Sequence, residues 1–408
     1  MTLNPIDEFR AELRAWLNEN CPEEMRDGLM SEEGICWGGK DWVFTSEAQK
    51  IWLGRCASKG YTVPTWPVEY GGAGLSRDQE KVFGEEMALI NARSPLESFG
   101  IWMLGPALLH FGSHEQKLQY LPPVARGEVR WCQGYSEPGA GSDLASLRTK
   151  AVREGDHYIV NGTKTWNTMG QYADMIFCLV RTSDDDIRQM GISFLLIDMH
   201  SAGIEVQPIV TIDCPPEGHQ EINMVHFTDV KVPVENLIGE EGKGWTYAKY
   251  LLEFERGNAY SHGLKAGLQR IRTIADAEQD GAGTLSDASD FQRKLSETEI
   301  AISAMEFTEL RILSSLSAGK NVGPESSLLK CRGTELQQAL TELALEATGS
   351  YAVPFDNPGP IKGANDEPIG PDYANTAAPD YFNTRKVSIY AGSNEVQRNI
   401  MAKMVLGL

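Results

Sequence analysis

The sequence predicts an α+β chain built as helix, then strand, then helix: a helical segment over 1–127, a strand-rich segment over 128–238 and a second helical segment over 239–408. Three observations carry this. Apolar residues recur at helical spacing at both ends of the chain, short β-branched runs fill its middle, and turn-forming residues separate those runs. A length of 408 residues allows about two to three domains, enough for a large buried core.

Asp7 to Leu17 places Phe9, Leu13, Trp16 and Leu17 on one helix face, and Gln79 to Ala92 carries a second apolar stripe. Trp66 to Leu75, punctuated by glycine, reads as a loop between helices. The expected strands are Val129–Gln133, His157–Val160, Met175–Val180, Ile192–Asp198, Ile204–Val210 and Ile222–Val230. Turn signals stand at Asn161-Gly162 and at Ser201-Ala202-Gly203, and Lys231-Val232-Pro233-Val234 closes the section. Helical periodicity returns over Trp245–Ala275, Phe291–Ser317, Ser326–Thr348 and Thr384–Val405. Asp280 to Asp290 reads as a linker and Ala352 to Pro379 as a long loop.

The net charge of −20 argues against nucleic acid or an anionic membrane as partner, and it gives no global steering toward an anionic ligand. The longest largely apolar run, Ile192 to Ile197, is too short to span a bilayer, so no membrane insertion is expected. Early acidic residues (Asp7, Glu8, Glu12) differ from a secretory or Arg-rich leader. Seven cysteines, Cys21, Cys36, Cys56, Cys132, Cys178, Cys214 and Cys331, are odd in number, scattered and without metal-ligand spacing. They fit reduced thiols, and the expected location is cytoplasmic. No metal site is expected.

Two stretches carry chemistry. Tyr135-Ser136-Glu137-Pro138-Gly139-Ala140-Gly141-Ser142-Asp143 follows a short strand, and Asn161-Gly162-Thr163-Lys164-Thr165-Trp166-Asn167-Thr168 ends another. Small residues let backbone N–H groups approach a diphosphate, and hydroxyls reach the polar edge of a flat heterocycle that Trp166 would cover. The loop is neither a Walker A element nor a dinucleotide fingerprint.

With Trp66-Pro67-Val68-Glu69-Tyr70-Gly71-Gly72 and Tyr390-Ala391-Gly392-Ser393-Asn394-Glu395-Val396-Gln397, these motifs make nearly the whole chain resemble the acyl-CoA dehydrogenases. The resemblance implies an N-terminal helical domain, a central small β-barrel, a C-terminal four-helix bundle, an FAD cofactor and an acyl-CoA substrate. It also implies pairing into dimers or tetramers, with an electron-transfer flavoprotein as oxidant. It gives Gln133, Ser136, Gly141, Ser142, Trp166, Thr168, Ser393 and Glu395 to the flavin, and Ser142, Arg256, Tyr390, Ala391 and Gly392 to the thioester.

Family chemistry removes a proton beside a thioester, which needs a hydrogen bond to the thioester oxygen and a carboxylate against the proton. Many members keep that Glu directly after the C-terminal motif's Tyr, where this chain has Ala391; its backbone N–H still serves the thioester oxygen. Some branches place the base before an Arg on the first long helix of the bundle, and Glu255-Arg256 stands there. Helical spacing sets Glu255 with Ala248, Leu251, Leu252 and Ala259 on an apolar face, whereas Glu253 shares a face with Thr246 and Lys249. A structural ion pair is the alternative for Glu255. The Arg that usually reaches the ADP half of FAD is replaced by Ala288, and Glu346 and Glu395 add carboxylates near the expected diphosphate. Two rivals therefore stand beside a dehydrogenase with Glu255 as base. One is a non-catalytic partner subunit of a hetero-oligomer; the other is oxidase or monooxygenase chemistry on the same fold. The Leu251–Arg256 and Tyr381-Phe382-Asn383 runs resemble the branch of pimeloyl-CoA-type large subunits and bacterial sterol-degradation enzymes.

Overall fold

The structure is a computed structural model that describes residues 4–27, 34–213, 220–255, 260–317, 323–353 and 369–408. It divides into two compact units: one comprises the residues up to 207 with 222–251, the other 208–221 with 252–408.

The first unit opens on α1 (Pro5–Asn20), α2 (Glu47–Lys59), α3 (Arg77–Leu89), α4 (Gly105–Phe111) and α5 (His114–Ala125). Asn4, Ser46, Ser76 and Ser113 cap four of these helices with side-chain oxygens, and Ser76/Gln79 and Ser113/Gln116 form full capping boxes. Leu13 and Leu17 of the expected α1 stripe are buried with Trp52, Cys56 and Val82. The Trp66–Leu75 loop contains one short 3-10 turn, Val68–Tyr70. Gly72 is required there, because a Cβ would lie 2.1 Å from the Trp66 carbonyl oxygen.

Seven strands follow: β1 (Trp131–Gly134), β2 (Lys150–Glu154), β3 (His157–Thr168), β4 (Met175–Arg181), β5 (Ile192–Asp198), β6 (Ile204–Pro208) and β7 (Ile222–Pro233). They form one sheet in the order β1-β4-β2-β3-β7-β6, with β5 on the other edge of β4. β1 runs parallel to β4, while β2–β3, β3–β7 and β4–β5 are antiparallel. Cys132, Val160, Ile176, Leu195, Val225 and Phe227 fill the enclosed face. Asn161-Gly162 is no turn: β3 runs straight through it, and the pairing with β7 slips between Val160 and Gly162 instead. Turn chemistry in the sequence is used here for a bulge.

The helix expected over Trp245–Ala275 is two helices, α6 (Gly244–Glu255) and α7 (Ser261–Ala277). The Glu309 carboxylate fixes the start of α7, accepting the Tyr260 N–H at 2.6 Å, the Ser261 N–H at 3.1 Å and the Ser261 hydroxyl. Between Ala277 and Asp290 a two-strand hairpin, β8 (Gln279–Asp280) and β9 (Gly283–Thr284), stands inside the expected linker. Then come α8 (Ser289–Ser317), α9 (Glu325–Thr348), α10 (Ala377–Thr384) and α11 (Asn394–Met401). Leu268, Ile271, Phe291, Ile302, Leu336 and Leu343 bury the faces that α7, α8 and α9 turn to one another. A continuous helix over Thr384–Val405 is not formed; the turn at Ala391 and Gly392 breaks it. α10 begins before Pro379, which the first helical turn tolerates because its missing N–H would find no partner there. The helix–strand–helix order is the one the sequence predicts. Among the described residues no helix is long and apolar enough to cross a membrane. The six described cysteines are buried and form no disulfide.

Candidate active site

The loop after β1 is held by a buried ion pair. Lys164 is wholly inaccessible on β3, and its ammonium lies 2.8 Å from Glu137 Oε1 while also donating to the Tyr135 carbonyl at 3.0 Å. The Glu137 carboxylate further accepts the Arg148 N–H at 2.6 Å and the Thr149 N–H at 2.9 Å. Burial alone would raise this carboxyl's pKa. The Lys164 charge and the hydrogen bonds outweigh that and hold it below the usual carboxylate value. Reciprocal bonds between Glu137 and Ala140, both 3.0 Å, close a tight turn around Pro138-Gly139, and the Thr165 N–H donates to the Ser136 carbonyl at 2.9 Å. The loop is therefore fastened to β3 on both sides of Ser136.

β3 then bulges. Its pairing with β7 shifts between Lys164 and Asn167, and Trp166 takes φ +62°, a conformation a bulky side chain seldom adopts. The extra residue turns the indole out of the alternation, leaving it 58% exposed between the fully buried Asn167 and the buried Thr165. Asn167 binds back to the Gln133 carbonyl at 2.6 Å, and Asn223 binds the Asn167 carbonyl at 3.2 Å. Gln133 and Ser136, whose carbonyls accept from Asn167 and Thr165 on either side of Trp166, and Thr168 just beyond it are each half-buried, and none of their side chains makes a hydrogen bond among the described residues. Ser142 is exposed, and a Cβ built on Gly139 or Gly141 meets nothing within 4 Å. The result is a rigid edge of unsatisfied hydroxyl and amide groups beside a bare aromatic face, with open backbone next to it.

In the second unit Ala391 (φ +54°) and Gly392 (φ +79°) form a left-handed turn between Tyr390 and α11. The turn is fastened from behind. Gln397 Nε2 donates to the Ala391 carbonyl at 2.9 Å and lies 3.4 Å from the Gly392 carbonyl oxygen, while Ser327 donates to Gln397 Oε1 at 2.8 Å. Lys330 donates to Asn394 Oδ1 at 3.0 Å, and Asn394 donates to Thr334 at 3.1 Å. All five of these supporting residues are buried. The Ala391 N–H itself donates to no acceptor among the described residues. Ser393 is the N-cap of α11, accepting the Val396 N–H at 3.4 Å. Glu395 is exposed; its own backbone amide, the Ser393 hydroxyl and Arg398 hold its pKa below the usual value.

Along α6, Tyr247, Ala248 and Leu251 are buried while Thr246 and Lys249 are exposed. Glu255 ends this helix, but its side chain lies outside the described residues, as does all of Arg256. Ala288 stands in the turn before α8, and the Glu346 carboxylate meets the Lys294 ammonium at 2.6 Å, so that charge is already countered. Sequence reasoning missed the supports: Lys164, Glu137, Gln397 and Asn394. The available signal was Lys164 at an inward position of a strand, where a lysine needs a partner.

The acyl-CoA dehydrogenase N-terminal, middle and C-terminal domain families match residues 7–128, 132–230 and 242–406. Acyl-CoA dehydrogenase IpdE1 of Mycobacterium tuberculosis is 32% identical over 412 residues, covering all of this chain and 98% of the relative. The chain belongs to the acyl-CoA dehydrogenase family. Among solved structures, a chain of the ChsE4-ChsE5 complex from M. tuberculosis is similar at a TM-score of 0.73 and 29% identity, covering 100% and 99% of the two chains. The Tcur3481-Tcur3483 steroid acyl-CoA dehydrogenase follows at 0.72 and 26%, covering 100% and 98%. As an acyl-CoA dehydrogenase this protein is a flavin-dependent oxidoreductase of lipid metabolism, and its cofactor is FAD. The residues present fit that group: unpartnered Gln133, Ser136 and Thr168 match its polar edge, Trp166 its flat face, and the open Gly139–Ser142 backbone its diphosphate.

Proposed function

We propose that this acyl-CoA dehydrogenase converts an acyl-CoA thioester to its trans-2-enoyl-CoA, with Glu255 as the base that removes the α-proton. The observation that carries the reading is the left-handed Ala391–Gly392 turn, which leaves the Ala391 N–H without an acceptor among the described residues. A fixed, unpaired amide is what a thioester oxygen needs as enolate charge develops on it. Ala391 has no group to take the proton, and the period of α6 sets Glu255 in line with buried Ala248 and Leu251. Arg256 follows it and sets the local charge, while Tyr390 and Gly392 flank the thioester. Gln133, Ser136, Trp166 and Thr168 orient the flavin, Ser142 and Gly141 meet diphosphate and coenzyme A, and Ser393 and Glu395 at the start of α11 are also assigned to the flavin. When bound, FAD supplies the hydride acceptor.

The domains divide at 127/128 and 238/239, and the protein acts in the cytoplasm with an electron-transfer flavoprotein as oxidant. Ala288, in place of a diphosphate-binding Arg, favours assembly with a sibling chain over a homotetramer, and ChsE4-ChsE5 is itself a complex of two named chains. The test is Glu255→Gln, which removes the base and little volume. FAD content should be unchanged, while anaerobic bleaching of the flavin by a panel of acyl-CoAs slows by orders of magnitude, at least about a thousandfold. Wild-type bleaching in the variant refutes the base. A wild-type protein that is colourless alone and yellow only when co-expressed with a sibling establishes the heteromer.

A further inference from the structure

Arg130 immediately precedes β1 and is only 5% exposed. Its guanidinium carbon lies 5.1 Å from the ring centroid of Trp37 and 5.3 Å from that of Tyr172. Stacking satisfies the faces of a guanidinium and leaves the five N–H donors on its rim. Among the described residues none of these donors has a hydrogen-bond acceptor or an ion-pair partner. Asp174 is near enough to influence the charge, but its carboxylate is engaged elsewhere. Oδ2 accepts the Lys40 and Arg130 backbone N–H groups at 3.1 and 2.8 Å, and Oδ1 faces His200 at 3.6 Å. Burial lowers the Arg130 pKa to about 10, which still leaves it charged at neutral pH. No Arg130 nitrogen is among the fully enclosed side-chain atoms that lack a partner, so the donor rim faces open space although the residue as a whole is buried.

Its position supplies the use. Arg130 leads into β1, which carries Gln133, and Tyr172 lies on the turn after β3, which ends on Thr168, so the cation stands beside the chain ends that carry these two residues. From Trp37 the aromatic contacts continue to Phe99 at 6.0 Å and on to Trp102 at 5.0 Å. Trp102 is partly exposed and sits on a single π-helical turn, Gly100–Leu104, a distortion that recurs at functional sites. A wall of flat apolar rings thus leads to a forked cation.

We infer that Arg130 recognises a hydrogen-bond-accepting oxygen, carboxylate or ketone, at the far end of the substrate's acyl group. The inference rests on the acyl-CoA reading, but not on Glu255. It is tested by calorimetric titration of the FAD-loaded protein, with its sibling chain if one is required, using three S-alkyl-CoA thioethers that have no acidic α-proton. These are hexyl-CoA, 5-carboxypentyl-CoA and 5-oxohexyl-CoA. One or both oxygenated ligands should bind about tenfold or more tighter than hexyl-CoA, the carboxylate alone if charge is read and both if any acceptor is. Arg130→Met should abolish that preference while hexyl-CoA affinity stays within about threefold, because only the distal contact is lost. Arg130→Lys, the milder change should Met fail to fold, should keep part of a carboxylate preference and lose the ketone's. No preference in the wild type, a preference that survives Arg130→Met, or equal loss for all three ligands overturns the inference. Failure of hexyl-CoA itself to bind tells instead against the acyl-CoA reading.

Discussion

Lys164 Nζ lies 2.8 Å from Glu137 Oε1 with both side chains buried, and this one contact joins the loop that presents Ser136 to the strand that presents Trp166. Removing the cation strands a carboxylate in the interior. Lys164→Met should therefore destabilise the protein by about 3–5 kcal/mol, measured by urea denaturation, with FAD released at a lower denaturant concentration than the global midpoint. Wild-type stability in that variant would mean that the two backbone N–H groups alone sustain the carboxylate.

The same pair makes an acid-side prediction. The folded pKa of Glu137 is lowered, so its contribution is complete above the ordinary Glu value of about 4.3 and is lost as pH falls through the lowered folded value. The thermal midpoint of the wild type should fall across that window. Glu137→Gln should start lower at neutral pH and show a shallower acid slope; parallel slopes would exclude Glu137 as a source of the acid sensitivity.

Gly141→Ala separates cofactor binding from folding. An added Cβ meets no protein atom within 4 Å, so the thermal midpoint of apoprotein should be unchanged. The methyl would occupy space left for the diphosphate, and the Kd for FAD should rise about tenfold or more, the scale of a lost close approach. Unchanged FAD affinity would place the diphosphate elsewhere.

Gln397→Met removes the donor that holds the Ala391 carbonyl and leaves Ser327 without its acceptor. The expected cost is about 1–3 kcal/mol of stability. The more telling readout is a fall in kcat/KM for thioesters with FAD content retained, since the turn that carries the Ala391 N–H loses its support. Loss of stability without any kinetic change would make Gln397 a folding residue only.

Much of the architecture was legible because periodicity is local. The stripe of Leu13 and Leu17 and the ends of α8 and α9 follow from side-chain spacing over a few turns. What was not legible depends on distant partners. Ala391 is a good helix former, and only its contacts with Gln397 across the following turn show that the helix stops there. Asn161-Gly162 carries hairpin chemistry, but β7 keeps pairing through it. Lys164 looked like part of a polar motif, and its burial follows from a carboxylate 27 residues away. The hydroxyls and the indole proposed for the flavin could be named from the motif; the bulge that turns the indole outward could not.

That bulge also fixes how the chain can vary. Lys164 pairs with Val225 and Asn167 with Asn223, so β3 carries one extra residue between them; deleting it would restore regular pairing with β7 and keep Lys164 and Asn167 on their shared buried face. The single residue left between them would be a regular strand residue, so the indole would lose its φ +62° backbone turn. The length of β3 is thus as much a part of the candidate site as its composition.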